Sequence, residues 1–191
     1  MVRQAETETT VRFERYADFR QWVEGRPGYW QLVRGIPMPS PAPNIRHQRI
    51  LGDLYALFRR FVIDRQLGYV FFAPTDVKLW EDTVYQPDLV VVLRAHGERI
   101  RETHVEGAPD VVVEVLSAST AKADRGDKRQ DYERAGVGEY WVVDPETATV
   151  EVYVLEGGVF QLYGRASGTG VVRSRTVPDL VVDVEALFQA L

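Results

Sequence analysis

Two short segments decide the fold of this chain: Gln86-Pro87-Asp88-Leu89-Val90-Val91-Val92 and Asp110-Val111-Val112-Val113-Glu114-Val115-Leu116-Ser117. Each is a run of β-branched residues too apolar to face water on either side, which is typical of a buried strand. Each also carries one carboxylate, Asp88 or Glu114. Burying an ionised carboxylate without a partner costs several kcal/mol, so both groups should have partners. Two acidic groups on neighbouring strands make a cation their expected partner, and a helix with lysines follows the second strand at once. The pattern therefore predicts a site of the kind that metal-dependent phosphodiesterases use.

The composition predicts one domain spanning residues 1–191. Hydrophobic residues make up 45% of the chain and charged residues 27%, close to the globular average. Residues 1–11 are polar, are expected to be flexible and lack the apolar segment of a signal peptide. No apolar run approaches the roughly 20 residues that cross a bilayer. The chain contains no cysteine, which excludes disulfides and thiolate metal sites. We therefore expect a cytoplasmic protein with no membrane segment.

Charge is distributed unevenly along the chain. The net charge of −5 argues mildly against a nucleic-acid binder, which usually has a basic surface. Residues 41–80 nevertheless hold six Lys/Arg against three acids, and residues 81–145 hold fourteen acids against eight bases. An acidic centre beside a basic flank suits a metal site that also binds a phosphate backbone, although ordinary solvated helix faces explain the same counts.

The hydrophobic pattern predicts an α/β fold, with a mixed β-sheet flanked by helices and a C-terminal β-meander. Helices are predicted at 16–24, 45–66, from Ser119 or Thr120 to 135, and at 184–190. Strands are predicted at 29–33, 36–38, 69–73, 76–80, 88–93, 110–117, 139–144, 149–155, 158–163 and 170–175. Gly68 should follow the second helix as its left-handed residue. The prolines at 39–43 should exclude regular structure, and 94–107 should be a polar loop.

Several motifs occur in an order that resembles a known family. They are Pro87-Asp88, Glu114-Val115-Leu116-Ser117, Ser119-Thr120, Asp127-Lys128, Tyr132, Gly136-Val137 and Glu139-Tyr140-Trp141-Val142-Val143-Asp144-Pro145. Together they closely resemble the Uma-two family of restriction endonucleases, which belongs to the PD-(D/E)xK nuclease superfamily. The resemblance runs from about Phe13 to Phe188 and includes Arg46-His47-Gln48 and Thr75-Asp76-Val77. It implies a restriction-endonuclease-like core around a divalent-metal site.

The resemblance also implies roles for particular residues. Asp88 and Glu114 would bind Mg²⁺ or Mn²⁺, and the backbone carbonyl of Val115 is a further candidate ligand. In the superfamily pattern the catalytic lysine lies two residues after the second acid, where this chain has Leu116. The Uma-two family resembles a variant in which the lysine has moved to the following helix, which makes Lys128 the third catalytic candidate.

Each of these candidates has an alternative explanation. Asp88 after a proline could simply cap a strand or a turn. Lys122 lies six residues nearer the strand than Lys128, but Lys128 fits the Asp-x-x-x-Lys spacing of the family from Asp124 and has Tyr132 one turn on. An exposed network of ion pairs would explain Lys128 equally well.

Two further residues are expected to line the site, His47 and Asp76. His47 could instead hydrogen-bond at the start of the second helix, and Asp76 could bond a neighbouring strand or turn. The other two histidines, His96 and His104, have no partner at a convincing metal-ligand spacing.

Gln31 is the departure from the family pattern. Members commonly have a glutamate in a hairpin near the N-terminus, and Gln31 stands where that acid is expected. A glutamine oxygen can bind a hard cation or its water, but it brings no charge and cannot act as a base. Two carboxylates rather than three predict weaker metal binding, and one metal rather than two.

The sequence therefore predicts a divalent-metal-dependent endonuclease that hydrolyses phosphodiester bonds, with DNA as the expected substrate. The alternative is a catalytically weak nuclease-fold protein that binds nucleic acid or another protein. A homodimer or higher homo-oligomer could form through the edge strands of the 149–175 meander. The chain has no Gly-x-Ser-x-Gly elbow, Walker loop or GxGxxG, which disfavours serine hydrolases and nucleotide-binding folds.

Overall fold

The computed structural model describes residues 11–118 and 120–189. The helices are α1 (Tyr16–Val23), α2 (Ile45–Phe58), α3 (Ala121–Arg125), α4 (Asp127–Ala135) and α5 (Val184–Phe188). The strands are β1 (Tyr29–Val33), β2 (Ile36–Ser40), β3 (Gly68–Phe72), β4 (Asp76–Trp80), β5 (Thr83–Tyr85), β6 (Leu89–Leu93), β7 (His104–Glu106), β8 (Val111–Val115), β9 (Glu139–Asp144), β10 (Thr149–Glu156), β11 (Val159–Ser167), β12 (Val171–Arg173) and β13 (Val181–Asp183). The N-terminal segment expected to be flexible lies outside the described residues, apart from Val11.

The strands form two main sheets, where the sequence predicted one. The larger has the order β11-β10-β9-β8-β6-β3 and the smaller the order β2-β1-β5-β4-β7, while β12 pairs with β13. Both are mixed, because β8–β9 and β4–β7 are parallel and the other pairs are antiparallel. Helices α3 and α4 connect the parallel strands β8 and β9, as a crossover must. The mixed α/β architecture is confirmed.

The two valine-rich segments form adjacent, buried strands at the centre of the larger sheet. All five residues of β8 are buried, as are the first four of β6. Alternate side chains pack on opposite faces. One face of β8 packs against the apolar side of α2, which includes Ile50, Leu54 and Phe58. The other face packs against aromatic residues of α4 and β9, namely Tyr132 and Tyr140. Strands covered on both faces explain why these segments carry no polar alternation.

The second helix ends differently from the prediction. After Phe58 the chain continues as a π-helical turn, Arg59–Ile63, and Gln66 is the residue with the left-handed backbone, at φ 57°. Gly68 is the first residue of β3. A Cβ atom there would lie 2.3 Å from the carbonyl oxygen of Val92, so this glycine serves the close approach of two strands rather than the end of a helix.

The helix predicted up to residue 135 is broken in two at Gly126. Its backbone (φ −109°, ψ −103°) is not helical, and a Cβ there would lie 2.8 Å from the carbonyl oxygen of Lys122. Ser119 lies outside the described residues. Thr120 precedes α3, but its hydroxyl accepts from the backbone N–H of Ser117 instead of capping the helix.

Smaller differences concern edges and loops. Strand β2 extends through two prolines to Ser40, which its position at the edge of the smaller sheet permits. The expected loop 94–107 contains a 3₁₀ helix, Arg94–Arg99, and the short strand β7. Strands β5 and β13 were not predicted. No helix within the described ranges is long and apolar enough to cross a bilayer.

Candidate active site

The register of β6 and β8 brings the two predicted carboxylates together. Leu89 pairs with Val113 in this antiparallel ladder, so the next position outward places Asp88 opposite Glu114. Directly opposed residues of such a pair have Cβ atoms about 4.5–5.5 Å apart on one face of the sheet. The backbone N–H of Val115 donates to Asp88 Oδ2 at 2.7 Å, which fixes the aspartate at the end of the ladder.

Asp88 keeps one oxygen open. Its Oδ2 accepts the Val115 hydrogen bond and lies 3.1 Å from Nε2 of His47. Within the part of the chain that the structure describes, Oδ1 has no hydrogen-bond partner, and the side chain is 17% exposed. Asp88 therefore presents an unpaired carboxylate oxygen at the surface of a cleft.

Glu114 is buried and hydrogen-bonded to a lysine and a tyrosine. Its Oε1 lies 3.1 Å from Nζ of Lys128 and accepts a hydrogen bond from the hydroxyl of Tyr132 at 2.8 Å. Burial raises the pKa of Glu114 to about 8; Lys128 acts in the opposite direction, and the charges of Asp124 and Asp88 add to the rise. Without a bound cation, Glu114 therefore holds its proton near neutral pH.

Lys128 is buried between two carboxylates, which differs from an exposed ion-pair network. Its Nζ is 2.8 Å from Oδ1 of Asp124 and 3.1 Å from Oε1 of Glu114. Burial alone would lower the pKa of Lys128, but these two acids raise it, so the ammonium stays charged. Lys122, the rival candidate, is exposed and does not line the cleft.

Asp124 and Tyr132 complete the site and were not assigned roles from the sequence. Asp124 is only 1% exposed, and burial keeps the pKa of Tyr132 well above its usual value, so its hydroxyl remains a donor to Glu114. The signal was present, because Asp124, Lys128 and Tyr132 are spaced four residues apart and share one side of the α3–α4 segment.

His47 lies at the start of α2 and makes both of the contacts considered for it, one with the helix start and one with the site. Its backbone N–H donates to the capping oxygen of Asn44 at 2.8 Å, and its ring contacts Asp88. Burial lowers the pKa of His47, but the hydrogen bond to Asp88 and the charge of that group outweigh burial and raise it. His47 therefore helps to hold Asp88 in place.

Gln31 reaches the cleft, and Asp76 does not. The Gln31 amide donates to Oγ of Ser40 at 3.0 Å, and its oxygen accepts from the backbone N–H of Gln86 at 3.1 Å. Asp76 accepts from the side chain of Gln86 at 2.8 Å and from the hydroxyl of Tyr16 at 2.7 Å. Asp76 thus does not line the cleft. It holds Gln86, in the segment that leads to Asp88.

The cleft has a volume of about 500 Å³ and opens beside the first turn of α2. It is lined by six of the seven predicted site residues, namely Gln31, His47, Asp88, Glu114, Val115 and Lys128. The further lining residues are at 29, 40–44, 48, 51, 72–74, 86, 117, 118 and 120. In residues 11–118 and 120–189, no group of three or more His, Cys, Asp or Glu has metal-binding geometry. Two carboxylates with one open oxygen fit a single hard cation that keeps several waters.

Comparison with known proteins now places the chain. A family model described as "Uma2: Putative restriction endonuclease" matches residues 16–185. The chain belongs to the Uma2 family. Among solved structures it is similar to "a putative nuclease belonging to DUF820" from Anabaena variabilis, with a TM-score of 0.74 and 17% identity over 92% of this chain and 97% of that one. At this identity the likeness shows the fold alone. No protein among the curated ones matches the chain.

Membership of the Uma2 family supports a nuclease, a hydrolase of phosphodiester bonds. The structure of this Uma2 chain also shows what occupies the usual place of the superfamily lysine. Leu116 is 5% exposed and packs in the core on the α4 side of the sheet. The nearest ammonium to Glu114 is consequently that of Lys128, which comes from the next helix.

Proposed function

We propose that this Uma2 protein is a divalent-metal-dependent endonuclease that hydrolyses phosphodiester bonds of DNA. One observation carries the proposal. Asp88, directly before β6, and Glu114, on the adjacent strand β8, line the same cleft, with Asp88 bonded to the Val115 backbone and Nζ of Lys128 3.1 Å from Glu114. Two converging carboxylates and a buried lysine suit phosphoryl chemistry, which depends on positioning and on charge stabilisation.

Asp88 and Glu114 are the residues that would hold Mg²⁺ or Mn²⁺, and Val115 is the candidate for a third, backbone oxygen. Such a cation, when bound, would polarise a phosphate oxygen and lower the pKa of a bound water. Mg²⁺ binds through one or two carboxylates and keeps several waters, so the donor set of this cleft suits one metal.

The other residues of the site orient the groups that act. Lys128 brings a permanent positive charge to the cleft, which stabilises negative charge that develops on a phosphate. Asp124 fixes the position of the Lys128 ammonium from the side of α3. His47 and Tyr132 each hold one carboxylate oxygen of Asp88 and Glu114, respectively, and so direct the second oxygen of each toward the cleft.

A cleavage assay tests the proposal. Plasmid and oligonucleotide DNA are incubated with the protein in Mg²⁺, Mn²⁺ or EDTA. We expect metal-dependent cleavage that is lost in Asp88→Asn and reduced at least a hundredfold in Lys128→Gln, with Lys122→Gln as the matched control that keeps it. Cleavage by Asp88→Asn at the wild-type rate would refute the assignment of this site.

A second function is favoured by Gln31. Its amide nitrogen and its oxygen each make a hydrogen bond to a protein group and the side chain brings no charge, which supports a catalytically weak nuclease-fold module that binds nucleic acid. Thermal unfolding separates the two. A melting temperature raised by Mn²⁺ in the wild type, but not in Asp88→Ala, favours the enzyme; nucleic-acid binding without any metal response favours the module.

A further inference from the structure

The rim of the cleft is aromatic and apolar, in contrast to its acidic inner end. Tyr29, at the start of β1, is 57% exposed, and Phe72, at the end of β3, is 52% exposed. Both line the cleft, as do the prolines Pro41, Pro43 and Pro74. Single exposed aromatic residues are common on protein surfaces, whereas several that line one opening are typical of a binding site. The prolines stiffen the rim, so little ordering entropy is lost when a ligand binds.

Phe72 is close to the proposed metal ligands. It pairs with Leu89, the residue after Asp88, and the backbone N–H of the following residue, Ala73, donates to the Asp88 carbonyl at 3.1 Å. A base resting on this ring would therefore belong to a nucleotide near the phosphate that reaches Asp88.

The reactive groups are recessed behind this rim. The side chain of Glu114 is 4% exposed and that of Lys128 is 9% exposed, so a phosphodiester must enter the cleft to reach them. The bases of an intact duplex are stacked and paired, which limits how far one strand can bend inward. A single strand can place a phosphate inside while its base turns out against an aromatic ring.

A stripe along α2 leads away from the cleft. Gln48, Gly52, Tyr55 and Arg59 recur at the spacing of one helical face, and Gln48 lines the cleft. The Tyr55 ring meets the Phe72 ring edge-on, with centroids 4.9 Å apart. Gly52 has no atom within 4 Å of a Cβ position, so the surface there is low and open. The stripe forms a shallow path past the aromatic pair.

The charge of this path is complementary to a phosphate backbone. Residues 45–63 contain four arginines and one aspartate. Arg49 pairs with Asp53 at 2.6 Å, whereas Arg46, Arg59 and Arg60 form no ion pair with any described residue. Free arginines beside exposed aromatic rings are the combination by which proteins bind single strands without reading sequence.

We infer that the substrate class of the cleft is single-stranded DNA, with an unstacked base against Phe72 or Tyr29 and the adjoining backbone along α2 toward Arg59. This inference rests on the proposed nuclease function of the same cleft. It goes further in naming what enters the cleft and which side chains select it.

Binding measured in EDTA tests the inference without cleavage. The probes are a fluorescein-labelled oligothymidylate, a DNA duplex of the same length and an oligouridylate, followed by fluorescence anisotropy. We expect the single-stranded DNA to bind at least tenfold more tightly than the duplex. Phe72→Leu should weaken that binding about tenfold, since stacking is the sequence-independent contribution. Tyr69→Leu is the matched control, because Tyr69 is 46% exposed on the same strand but does not line the cleft.

The salt dependence provides a second reading. Arg59→Gln should lower the slope of log affinity against log salt by about 0.7, the contribution of one phosphate contact on a single strand. Equal or tighter binding of the duplex or of the RNA, equal losses in Phe72→Leu and Tyr69→Leu, or no binding of the single strand would each overturn the inference. Because EDTA removes the metal, these outcomes are independent of whether Asp88→Asn abolishes cleavage.

Discussion

The variant Glu114→Gln distinguishes between two roles of Glu114, as a metal ligand and as a purely structural residue. In the metal-free protein, burial keeps the pKa of Glu114 near 8, so below that pH its carboxyl is largely neutral and resembles the amide of glutamine. The amide oxygen can still accept from Tyr132 and Lys128, and Lys128 retains its contact with Asp124 at 2.8 Å. The variant should therefore fold, with stability near pH 5 within about 1 kcal/mol of the wild type.

The difference between the two proteins should grow as the pH rises. The folded state holds the Glu114 proton up to about pH 8, whereas an unfolded glutamate releases it near 4.5. The stabilising contribution of the neutral acid is thus complete below pH 4.5 and is lost as the pH rises to 8. Each unit between the two pKa values corresponds to about 1.4 kcal/mol, which gives at most about 5 kcal/mol. Glutamine does not titrate, so the variant escapes this loss.

Urea unfolding in EDTA at pH 5, 7 and 9 measures this difference, and repeating it with Mn²⁺ measures the metal contribution. We expect Glu114→Gln to become more stable than the wild type toward pH 9 and to gain nothing from Mn²⁺, while Mn²⁺ stabilises the wild type. Glu139→Gln is the control, because Glu139 is buried outside the cleft and accepts hydrogen bonds from the backbone of Arg175 and Thr176; it should keep the Mn²⁺ response. If Glu114→Gln unfolds at every pH, or its stability runs parallel to the wild type across the range, the reasoning fails.

Two further predictions concern charges around the same carboxylates. Gln31→Glu adds a negative charge at the cleft. One oxygen of the new carboxylate can keep the hydrogen bond from the Gln86 backbone, and the Ser40 hydroxyl, which accepts from Gln31, would become a donor. An interaction of about 1.4 kcal/mol would raise Mn²⁺ affinity about tenfold, and calorimetry showing unchanged affinity would mean that residue 31 does not sense the metal. Lys128→Met leaves Asp124 buried without its cation and removes one hydrogen-bond donor from Glu114, so we expect a loss of about 3–5 kcal/mol in unfolding free energy. A change below about 1 kcal/mol in urea unfolding would show that the buried ion pair contributes little.

The central strands and the candidate carboxylates were readable from the sequence for a physical reason. Runs such as 110–117 are apolar on both alternating faces, and only a strand covered on both sides has that pattern. A glutamate within such a run must have partners, and the structure supplies Lys128 and Tyr132. The burial that made Glu114 conspicuous in the sequence predicted that it has partners, but not that Asp124 and Tyr132 are among the residues around it.

What the sequence did not reveal depends on tertiary contacts. Asp124 lies in a strongly polar segment that reads as a solvated helix face, and only the fold shows that it is buried against Lys128. The only helix-breaking residue at the break between α3 and α4 is Gly126, and helices tolerate a single glycine. Gly68 followed a helical pattern as a C′ residue would, and only the position of Val92 on the neighbouring strand shows why it is glycine. The division into two sheets likewise depends on pairings between distant segments.

The order of these parts along the chain has a consequence for redesign. Asp88 directly precedes β6, Glu114 lies on β8 and Lys128 on α4, whereas the aromatic and proline rim comes from earlier residues, namely Tyr29, Pro41, Pro43, Phe72 and Pro74. The two proposed metal-binding carboxylates and the rim proposed to select the ligand therefore come from separate stretches of the polypeptide. Exchange of residues 40–43, which leaves Gln31 and His47 in place, for another sequence of similar backbone shape should change what the cleft accepts, while the valine-rich strands next to the two carboxylates remain as they are.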